Sequence, residues 1–434
     1  MQSAKRTLPI LIMILLSACG FEVDERVYGN WVEPLSGETI ALRADGTVNW
    51  FGSEGTLTVQ RSAEFCILIP GLIDCPDGQV MLNVDGQHFG MFYYSKFFDR
   101  DPNRWNWGFR DADSNFMHIT LRSKTASHFP VFREGFPGAS QFTVEGFEKL
   151  ESGLPHLYPF INNAQEYNGE IVAEFAEFEP ELWRYRFQNA TWQPVDVTVN
   201  GAIRFFPEVI LNRDQYSLDG GYTWSEMPAF EDGKEAYSTE AFGVVLYGIV
   251  QTEGRNDRTT FETYRTDLSS PAPTWQKMGE THDTEGRYRA LVSTSSDDTL
   301  FRTIFDSERD GEHLESSVNQ GATWELMESP CTNVPVGHAN GVYCNSEGRI
   351  ISWFDAPTTT WSTFAPPEGA EPVQFTGPRE NLYRVRDTTL LKFNPQGIET
   401  VVAELNKAPG SYMRVYVLES GIFLQSLTLW HQAL

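Results

Sequence analysis

A threonine–tryptophan pair recurs along this chain, and its spacing constrains the fold more than any other feature. Thr223-Trp224, Thr274-Trp275 and Thr323-Trp324 are spaced by 51 and 49 residues, and Thr191-Trp192 and Thr360-Trp361 extend the series less regularly. Short β-branched and aromatic runs alternate with Gly, Pro, Asn and Asp turns, and they indicate an all-β fold. A period of about 50 residues with about four short strands in each predicts a β-propeller of about six blades, with five to seven allowed.

Two of these tryptophans end an eight-residue pattern, which reads SLDGGYTW at residues 217–224 and SVNQGATW at residues 317–324. We name these segments the first repeat and the second repeat. Short Ser and Asp side chains can bond nearby backbone amides and hold a tight turn. Glycine can take a positive φ there, and tryptophan supplies a large buried anchor against the neighbouring blade. The pattern therefore predicts a role in folding.

The pattern resembles the Asp-box of sialidase-type β-propellers, S-x-D-x-G-x-T-W. The first repeat matches all five defined positions, and the second has Asn in place of Asp. The matching residues are Ser217, Asp219, Gly221, Thr223, Trp224, Ser317, Asn319, Gly321, Thr323 and Trp324. In that family the box lies between the third and fourth strands of a blade, away from the active face. The resemblance therefore implies a structural role for these residues.

The same resemblance raises a catalytic alternative, a glycan-active hydrolase of the sialidase superfamily. That family uses an arginine triad, a Tyr–Glu nucleophile pair and an acid/base Asp. Its first arginine lies in an Arg-Ile-Pro motif well before the first box, whereas the nearest string here, Arg204-Phe205-Phe206-Pro207, starts thirteen residues before Ser217. The catalytic residues therefore stay unassigned. We expect a non-catalytic binding or assembly module for an unidentified protein or glycan partner, without cofactor or metal.

An acidic run supplies a further candidate site, formed by Glu166, Glu170, Glu174, Glu177, Glu179 and Glu181. Such carboxylates could bind a cation or act as the acid and nucleophile of a glycosidase. A solvated strand edge explains the same pattern and is the favoured interpretation.

The N-terminal residues indicate export. Lys5 and Arg6 precede an apolar run of nine residues, which is too short for a membrane span of about 20 residues. Leu16-Ser17-Ala18-Cys19-Gly20 resembles the lipobox of bacterial lipoproteins. That resemblance implies a signal peptide at 1–18, acylation of Cys19 and a tether at 19–24. Because Gly20 is not Asp, it also implies the outer membrane, facing the periplasm or the cell surface.

The charge of the chain narrows the possible partners. The net charge is −26, and it becomes −28 when residues 1–18 and their two cations are removed. Nucleic-acid binding depends on Lys and Arg neutralising phosphates, so this acidity argues against it. It also argues against a polybasic grip on anionic lipid. We therefore expect the lipid on Cys19 to be the membrane anchor.

The four remaining cysteines form two local pairs, Cys66 with Cys75 and Cys331 with Cys344. Local pairs in an oxidising compartment are expected to close as disulfides. A zinc site would need CxxC-like spacing, and that spacing is missing from the sequence.

Residues 25–124 are predicted to form a separate small domain. Gly29-Asn30-Trp31 is followed by hairpin signals at Asp45-Gly46 and Asp85-Gly86. The opening resembles small lipocalin-like lipoprotein domains, which implies a small antiparallel barrel. The sequence thus predicts an all-β chain with this barrel first and the β-propeller over residues 130–434.

Overall fold

The structure is a computed structural model, and it describes part of the 434-residue chain. The described residues are 28–33, 37–60, 78–85, 87–93, 116–120, 128–134, 146–150, 152–154, 161–176, 180–199, 201, 203–230, 233–253, 259–282, 291–294, 299–306, 311–331, 336–338, 341–345, 351–355, 359–364, 382–386, 389–393, 399–404, 414–425 and 429–433.

Antiparallel strands are the regular elements of the described residues, so the predicted all-β class is confirmed. In this part of the chain we find no helix long and apolar enough to span a membrane. The chain divides into two compact units, Met1–Val144 with Ala408–Met413 and Glu145–Lys407 with Arg414–Leu434. This division is later than the boundary expected at residues 124–130, because the strand His128–Arg133 pairs within the first unit.

Among the residues that the structure describes, the first unit contains eight strands that pair in chain order and close into a barrel. They are β1 (Gly29–Val32), β2 (Thr39–Leu42), β3 (Thr47–Trp50), β4 (Ser53–Gln60), β5 (Gly78–Val84), β6 (Gln87–Tyr93), β7 (Phe116–Thr120) and β8 (His128–Arg133). The barrel closes where β1 pairs with β8.

Alternating side chains of the first strands fill the barrel interior. Trp31, Ile40, Val48 and Trp50 are fully buried, as expected for strands with one face toward a core. At the predicted turn between β2 and β3, Thr47 donates its backbone N–H and its hydroxyl to the Asp45 carboxylate, at 3.0 and 2.7 Å. The Asp-Gly signal therefore located this hairpin correctly.

The second unit is built from seven antiparallel sheets among the described residues, and we number the sheets in chain order. Sheet 1 contains β10 (Ile161–Tyr167), β11 (Glu170–Ala176), β12 (Pro180–Arg186) and β13 (Thr191–Pro194). Sheet 2 contains β14 (Ile203–Phe206), β15 (Val209–Asn212), β16 (Gln215–Ser217) and β17 (Ser225–Glu226). Sheet 3 contains β18 (Ala236–Phe242), β19 (Val245–Glu253), β20 (Thr259–Asp267) and β21 (Gln276–His282).

The remaining sheets follow the same order, except that sheet 6 has three described strands and sheet 7 takes its fourth strand from the start of the unit. Sheet 4 contains β22 (Leu291–Thr294), β23 (Leu300–Asp306), β24 (Gly311–Ser317) and β25 (Glu325–Met327). Sheet 5 contains β26 (Val336–His338), β27 (Gly341–Asn345), β28 (Ile351–Asp355) and β29 (Thr360–Phe364). In the described part of the chain, sheet 6 contains three strands, β30 (Leu382–Arg386), β31 (Thr389–Phe393) and β32 (Glu399–Glu404). Sheet 7 contains β33 (Arg414–Val417), β34 (Gly421–Gln425), β35 (Leu429–Ala433) and β9 (Glu148–Lys149).

Consecutive sheets of the second unit pack against each other through buried apolar side chains. Tyr167, Val172 and Leu182 of sheet 1 contact Ile203 and Ile210 of sheet 2. Similar clusters join sheet 2 to sheet 3, sheet 3 to sheet 4, sheet 4 to sheet 5, and sheet 7 to sheet 1. Four-stranded meanders that bury both faces in serial order form a β-propeller.

The strand that precedes sheet 1 closes the last sheet. β9 pairs with β35 through Lys149 opposite Trp430 and Glu148 opposite His431. The Tyr416 hydroxyl donates to the Ile161 carbonyl oxygen across 255 sequence positions, at 3.1 Å. The two ends of the second unit are therefore joined within one sheet.

Candidate functional site

Both repeats occupy the same place in their sheets. The first begins at Ser217, the last residue of β16, and ends just before β17. The second begins at Ser317, the last residue of β24, and ends just before β25. Each repeat is therefore the turn between the third and fourth strands of a sheet.

The side chains of the first repeat are bonded to their own turn. The Ser217 hydroxyl donates to Asp219 Oδ1 at 2.8 Å and accepts the Gly221 N–H at 2.6 Å. Asp219 Oδ1 also accepts the backbone N–H groups of Tyr222 and Thr223, both at 2.9 Å. Its Oδ2 accepts the Thr223 hydroxyl at 2.7 Å. These bonds hold the turn and occupy both carboxylate oxygens.

The second repeat forms the same framework without a charge. The Ser317 hydroxyl donates to Asn319 Oδ1 at 2.9 Å and accepts the Gly321 N–H at 2.8 Å. Asn319 Oδ1 accepts the Thr323 N–H at 2.9 Å, and Asn319 Nδ2 donates to the Thr323 hydroxyl at 2.8 Å. Since Asn replaces Asp with the turn intact, the negative charge of the first repeat is not needed for the turn.

The Asp219 carboxyl has a lowered pKa. Burial raises this pKa, but the hydrogen bonds from Thr223, Ser217 and Tyr222 favour the charged form and lower it overall. Asp219 is therefore ionised at neutral pH, and its charge is used within the turn.

The recurring tryptophans were expected to be buried anchors, and they differ in how deeply they are buried. Trp192 and Trp275 are buried, and their indole N–H groups donate to the carbonyl oxygens of Leu150 and Pro228 at 3.2 and 2.8 Å. Trp224 and Trp324, expected to be the buried anchors, are only partly buried and pack at the margins of their clusters. They lie just before β17 and β25, strands of two and three residues, and the indole nitrogen of each is buried.

A cluster of polar side chains surrounds the exposed ring of Tyr222 in the first repeat. The Tyr222 hydroxyl donates to Glu170 Oε2 at 2.7 Å and accepts Arg186 Nη2 at 3.1 Å. The Arg184 guanidinium lies 3.4 Å from the ring centroid. Glu170 also forms ion pairs with Arg184 at 3.2 Å and Arg186 at 3.4 Å. Sheet 1 thus fixes a tyrosine that belongs to the turn of sheet 2.

The cluster has a buried base and an exposed top. Arg184 is 5% exposed and donates to the Gly220 carbonyl oxygen, whereas Arg186 is 35% exposed and Tyr222 is 50% exposed. One further apolar side chain of the first repeat, Leu218, is 38% exposed. We name the solvent-accessible set the Tyr222 surface, and it comprises Glu170, Arg186, Leu218 and Tyr222.

This cluster contains a Tyr–Glu pair with two arginines, yet its geometry does not suit sialidase chemistry. Arg184 is buried beneath the tyrosine ring, so a substrate carboxylate cannot reach it. Both oxygens of Glu170 contact guanidinium groups. Tyr222 lies in a third-to-fourth-strand turn of sheet 2, whereas Glu170 is the first residue of β11 in sheet 1. Arg204, considered as a substrate ligand, instead bonds to Thr239 of sheet 3.

The acidic run is dispersed over separate environments. Glu166 accepts the Ser420 N–H at 2.7 Å, Glu174 is buried, and Glu181 accepts the Trp183 indole N–H at 2.8 Å. Burial raises the pKa of Glu174 above its ordinary value. Glu177 and Glu179 lie outside the described residues. Across the described part of the chain, no group of three or more His, Cys, Asp or Glu side chains is arranged to hold a metal ion.

A second ionic cluster, which the sequence did not indicate, stabilises sheet 3. The Glu262 carboxylate accepts Lys234 Nζ at 2.5 Å, Lys277 Nζ at 2.6 Å and the Tyr264 hydroxyl at 3.0 Å. Burial raises the pKa of Glu262, but these three donors lower it to about 2. Each carboxylate oxygen already has an internal partner, so the cluster serves packing better than ligand binding.

The structure joins Cys331 and Cys344 by a disulfide, with 5.5 Å between their Cα atoms. Cys344 lies in β27, so the bond holds the segment after sheet 4 against sheet 5. Cys19, Cys66 and Cys75 lie outside the described residues.

No protein-family model matches the chain, and no curated protein matches it. BamB from Moraxella catarrhalis is similar at 11% identity over 66% of this chain and 96% of its own, with a TM-score of 0.31. The β-propeller domain of the Trilobed protease from Pyrococcus furiosus, described as having an open velcro topology, is similar at 9% identity over 64% and 95%, with a TM-score of 0.41. Both TM-scores are too low to indicate a function. The second unit is a β-propeller by the order and packing of its own sheets.

Proposed function

We propose that this chain is a membrane-anchored, non-catalytic binding protein whose β-propeller binds a partner protein at the Tyr222 surface. The observation that carries the proposal is the exposed Tyr222 ring, held in place by Arg184, Arg186 and Glu170 within the chain itself. Tyrosine and arginine dominate the binding energy of protein interfaces. A ring that is already fixed loses little side-chain freedom on binding, which favours affinity.

The local charge supports a protein as the partner. Two guanidinium groups face one carboxylate in this cluster, which leaves one positive charge on a chain of net charge −26. The exposed apolar side chain of Leu218, in the same turn as Tyr222, accompanies that charge. A protein surface with an apolar patch and a nearby carboxylate complements both features, whereas nucleic acid would meet repulsion from the rest of the molecule.

The number of blades, the role of the two repeats and the class of the first domain are also part of this proposal. We propose one blade for each of the seven sheets, a count within the predicted range of five to seven. The matched hydrogen bonds of Ser217 with Gly221 and Ser317 with Gly321 support both repeats as structural Asp-boxes. The eight paired strands β1–β8 support a small lipocalin-like barrel as the first domain.

The membrane anchor in this proposal is the lipid on Cys19, with the outer membrane as the location. Its support is the lipobox resemblance in the sequence. A Cys19→Ser variant is expected to leave the membrane fraction and appear in the soluble fraction. A variant that stays with the membranes would remove the lipid from the proposal.

The partner site is tested by photo-crosslinking in solubilised outer membranes, with the full chain carrying the crosslinker beside position 222. We expect one partner protein to be captured, and Tyr222→Ala to weaken its binding about thirtyfold, the size of an interface hot spot. Leu218→Ala should also weaken binding. Val318→Ala is the matched control, because Val318 holds the same position in the second repeat and is exposed.

The melting temperature of each variant separates binding from folding. Tyr222→Phe keeps the ring over Arg184 and loses the hydroxyl bond to Glu170, so it should retain most of the binding. Equal capture by the wild type and by a folded Tyr222→Ala variant would refute the Tyr222 surface as the site. Capture that needs an added glycan would make the partner a glycan instead.

A further inference from the structure

The arginine beneath the Tyr222 ring has a counterpart in the sheet that precedes the second repeat. In sheet 1, Arg184 of the third strand is paired with Val172 of the second strand. In sheet 3, Arg265 of the third strand is paired with Tyr247 of the second strand. Val172 and Tyr247 are each the third residue of their strands, β11 and β19. The two arginines therefore occupy equivalent positions in their sheets.

The second repeat packs against the strand that carries Arg265. A Cβ at Gly321 would overlap the Thr263 side chain of β20. A Cβ at Gly279, which is paired with Thr263, would overlap the carbonyl group of Ala322. Thr263 and Arg265 are two positions apart on β20, so their side chains share a face of sheet 3. Arg265 therefore lies on the face of sheet 3 that meets the second repeat.

The second repeat does not reproduce the groups that hold Arg184. Arg184 lies against the Tyr222 ring and forms an ion pair with Glu170. At the second repeat, Ala322 takes the position of the tyrosine and is exposed. Val245, the first residue of β19, takes the position of the glutamate, the first residue of β11. The second arginine therefore has neither a ring from the turn nor a carboxylate from the second strand.

A carboxylate accompanies Arg265 on its own strand. Asp267 is two positions later, so it lies on the same face of sheet 3, and it is paired with Val245. The Ser269 hydroxyl and N–H bond to Asp267 Oδ1 at 2.6 and 2.9 Å. These bonds lower the pKa of Asp267, and the charge of Arg265 lowers it further.

Both charged groups have bonding capacity left within the described part of the chain. Arg265 is partly buried, its Nε has no acceptor, and its guanidinium forms no hydrogen bond or ion pair with a described residue. The bonds from Ser269 use Asp267 Oδ1, so Oδ2 is available to a donor. The junction of sheets 3 and 4 therefore presents a cation and a carboxylate oxygen on one face, beside a turn with a small side chain.

We infer that Arg265 and Asp267 form a binding site for a tyrosine side chain of a partner protein. The ring lies over the Arg265 guanidinium, and the phenol hydroxyl donates to Asp267 Oδ2. Within the chain itself, Tyr222 makes the same two contacts, with Arg184 and Glu170. This site is additional to the Tyr222 surface, and it does not depend on a partner binding there.

A tyrosine satisfies both groups, whereas other side chains satisfy one. Phenylalanine offers a ring to Arg265 but no donor to Asp267. A partner carboxylate would pair with Arg265 and meet repulsion from Asp267, and a partner cation would meet the reverse. Tyrosine is also one of the residues that contribute most to binding at protein interfaces.

The test uses the full chain and three fluorescein-labelled peptides, Gly-Ser-Tyr-Ser-Gly and its versions with Phe or Leu in place of Tyr. Fluorescence anisotropy measures their affinities. We expect the tyrosine peptide to bind about threefold more tightly than the phenylalanine peptide and at least about tenfold more tightly than the leucine peptide. Arg265→Gln should remove the advantage of both rings, and Asp267→Ala should remove the preference for Tyr over Phe. Arg213→Gln, at an arginine that is 68% exposed, is the matched control and should change neither.

A ring supplied by the chain itself gives a second test. Ala322→Tyr places the ring beside Arg265, so it should raise the melting temperature by about 2 °C and abolish binding of the tyrosine peptide. Val318→Tyr, at an exposed position of the same repeat, is the control and should do neither. Conversely, Tyr222→Ala uncovers Arg184 and should add a second binding site for the same peptide.

Four results would overturn the inference. The first is equal binding of the three peptides. The second is unchanged binding of the tyrosine peptide by Arg265→Gln. The third is a lower melting temperature of Ala322→Tyr, which would show that a ring is not accommodated there. The fourth is binding of the tyrosine peptide that persists in Ala322→Tyr, which would place the peptide elsewhere on the chain.

Discussion

The two repeats share a turn and differ in what surrounds it. In both, a serine hydroxyl accepts the N–H of the glycine four residues later, at 2.6 Å in the first repeat and 2.8 Å in the second. The residues between the pattern positions differ, with Gly220 and Tyr222 in the first and Gln320 and Ala322 in the second. Apart from the exchange of Asp219 for Asn319, the repeats differ at positions outside the pattern.

The difference teaches that turn formation and surface chemistry are separable in these segments. The hydroxyl of Tyr222 bonds Glu170 and Arg186 of the preceding sheet, whereas the methyl group of Ala322 can form no hydrogen bond. Gly220 lies against Tyr167 at a φ of 73°, while Gln320 adopts a φ of 59° with a side chain. One turn can therefore carry either a binding surface or a plain loop.

The largest expected difference concerns the two glycines of the pattern. Gly221 and Gly321 have φ values of 88° and 85°, so each needs a left-handed backbone. A Cβ at Gly321 would overlap Thr263, whereas a Cβ at Gly221 would meet Val195 Cγ1 at 3.2 Å. Backbone strain and overpacking together should cost about 4 kcal/mol in Gly321→Ala and about 2 kcal/mol in Gly221→Ala, measured by urea unfolding.

Gly243 provides the control for backbone strain alone. Its φ is 57°, and a Cβ there would lie 3.5 Å from the nearest atom, an oxygen of Glu208. Gly243→Ala should cost about 1 kcal/mol. Equal losses at Gly221 and Gly321 would show that the packing around the repeats does not differ as described.

The serines should give a smaller effect that is the same in both repeats. Ser217→Ala and Ser317→Ala each leave a buried glycine N–H without its acceptor, at a cost of about 1–2 kcal/mol. Ser225→Ala, at an exposed residue just after the first repeat, should change stability by less than about 0.5 kcal/mol. The losses are measured by thermal unfolding. A lowered melting temperature in only one of the two variants would contradict the equivalence of the two serines.

The smallest expected effect is a pH dependence of stability, which Asp219 contributes and Asn319 does not. The pKa of Asp219 is lower in the folded chain than its ordinary value of 3.8. Its ionised form therefore contributes stability above that value, and the contribution is lost as the pH falls through the folded pKa. Asp219→Asn should differ from the wild type by a constant amount above about pH 5, and the difference should shrink at lower pH.

Asn319→Asp supplies the reverse experiment. It places a carboxylate in the second repeat, beside the Ser317 hydroxyl and the N–H and hydroxyl of Thr323, and should add acid sensitivity that the wild-type repeat lacks. Melting curves between neutral and acidic pH measure both variants. Parallel curves for the wild type and Asp219→Asn over the whole range would contradict the use of the charge within the turn.

Local chemistry made much of the fold predictable from the sequence. The Asp45-Gly46 hairpin and both repeats depend on side chains that bond within a few residues, so the sequence locates them directly. The domain boundary depends instead on β8 reaching back to β1, about 100 residues away, and the sequence analysis set it too early. Connections of unequal length made the period irregular, which explains the uncertain number of sheets.

The candidate site was not predictable because it joins distant positions. Arg186 and Tyr222 are 36 residues apart, and Glu170 and Tyr222 are 52 apart. Tyr222 occupies a position that the repeat pattern leaves undefined. The alternation of Arg184 and Arg186 on one strand was the only available signal, and it predicts a shared face without naming its partner.

The pairing of β9 with β35 sets the order in which the second unit can be completed. The ribosome synthesises β9 before the other described strands of the second unit and β35 after them. Sheet 7 therefore cannot be completed by the pairing of β9 with β35 until β35 has been made. Bringing Lys149 to Trp430 closes a very long loop, whose entropy must be offset by packing already in place. Until then the partly made unit exposes the face of sheet 1 that later packs against Phe423, and it depends on protection from aggregation.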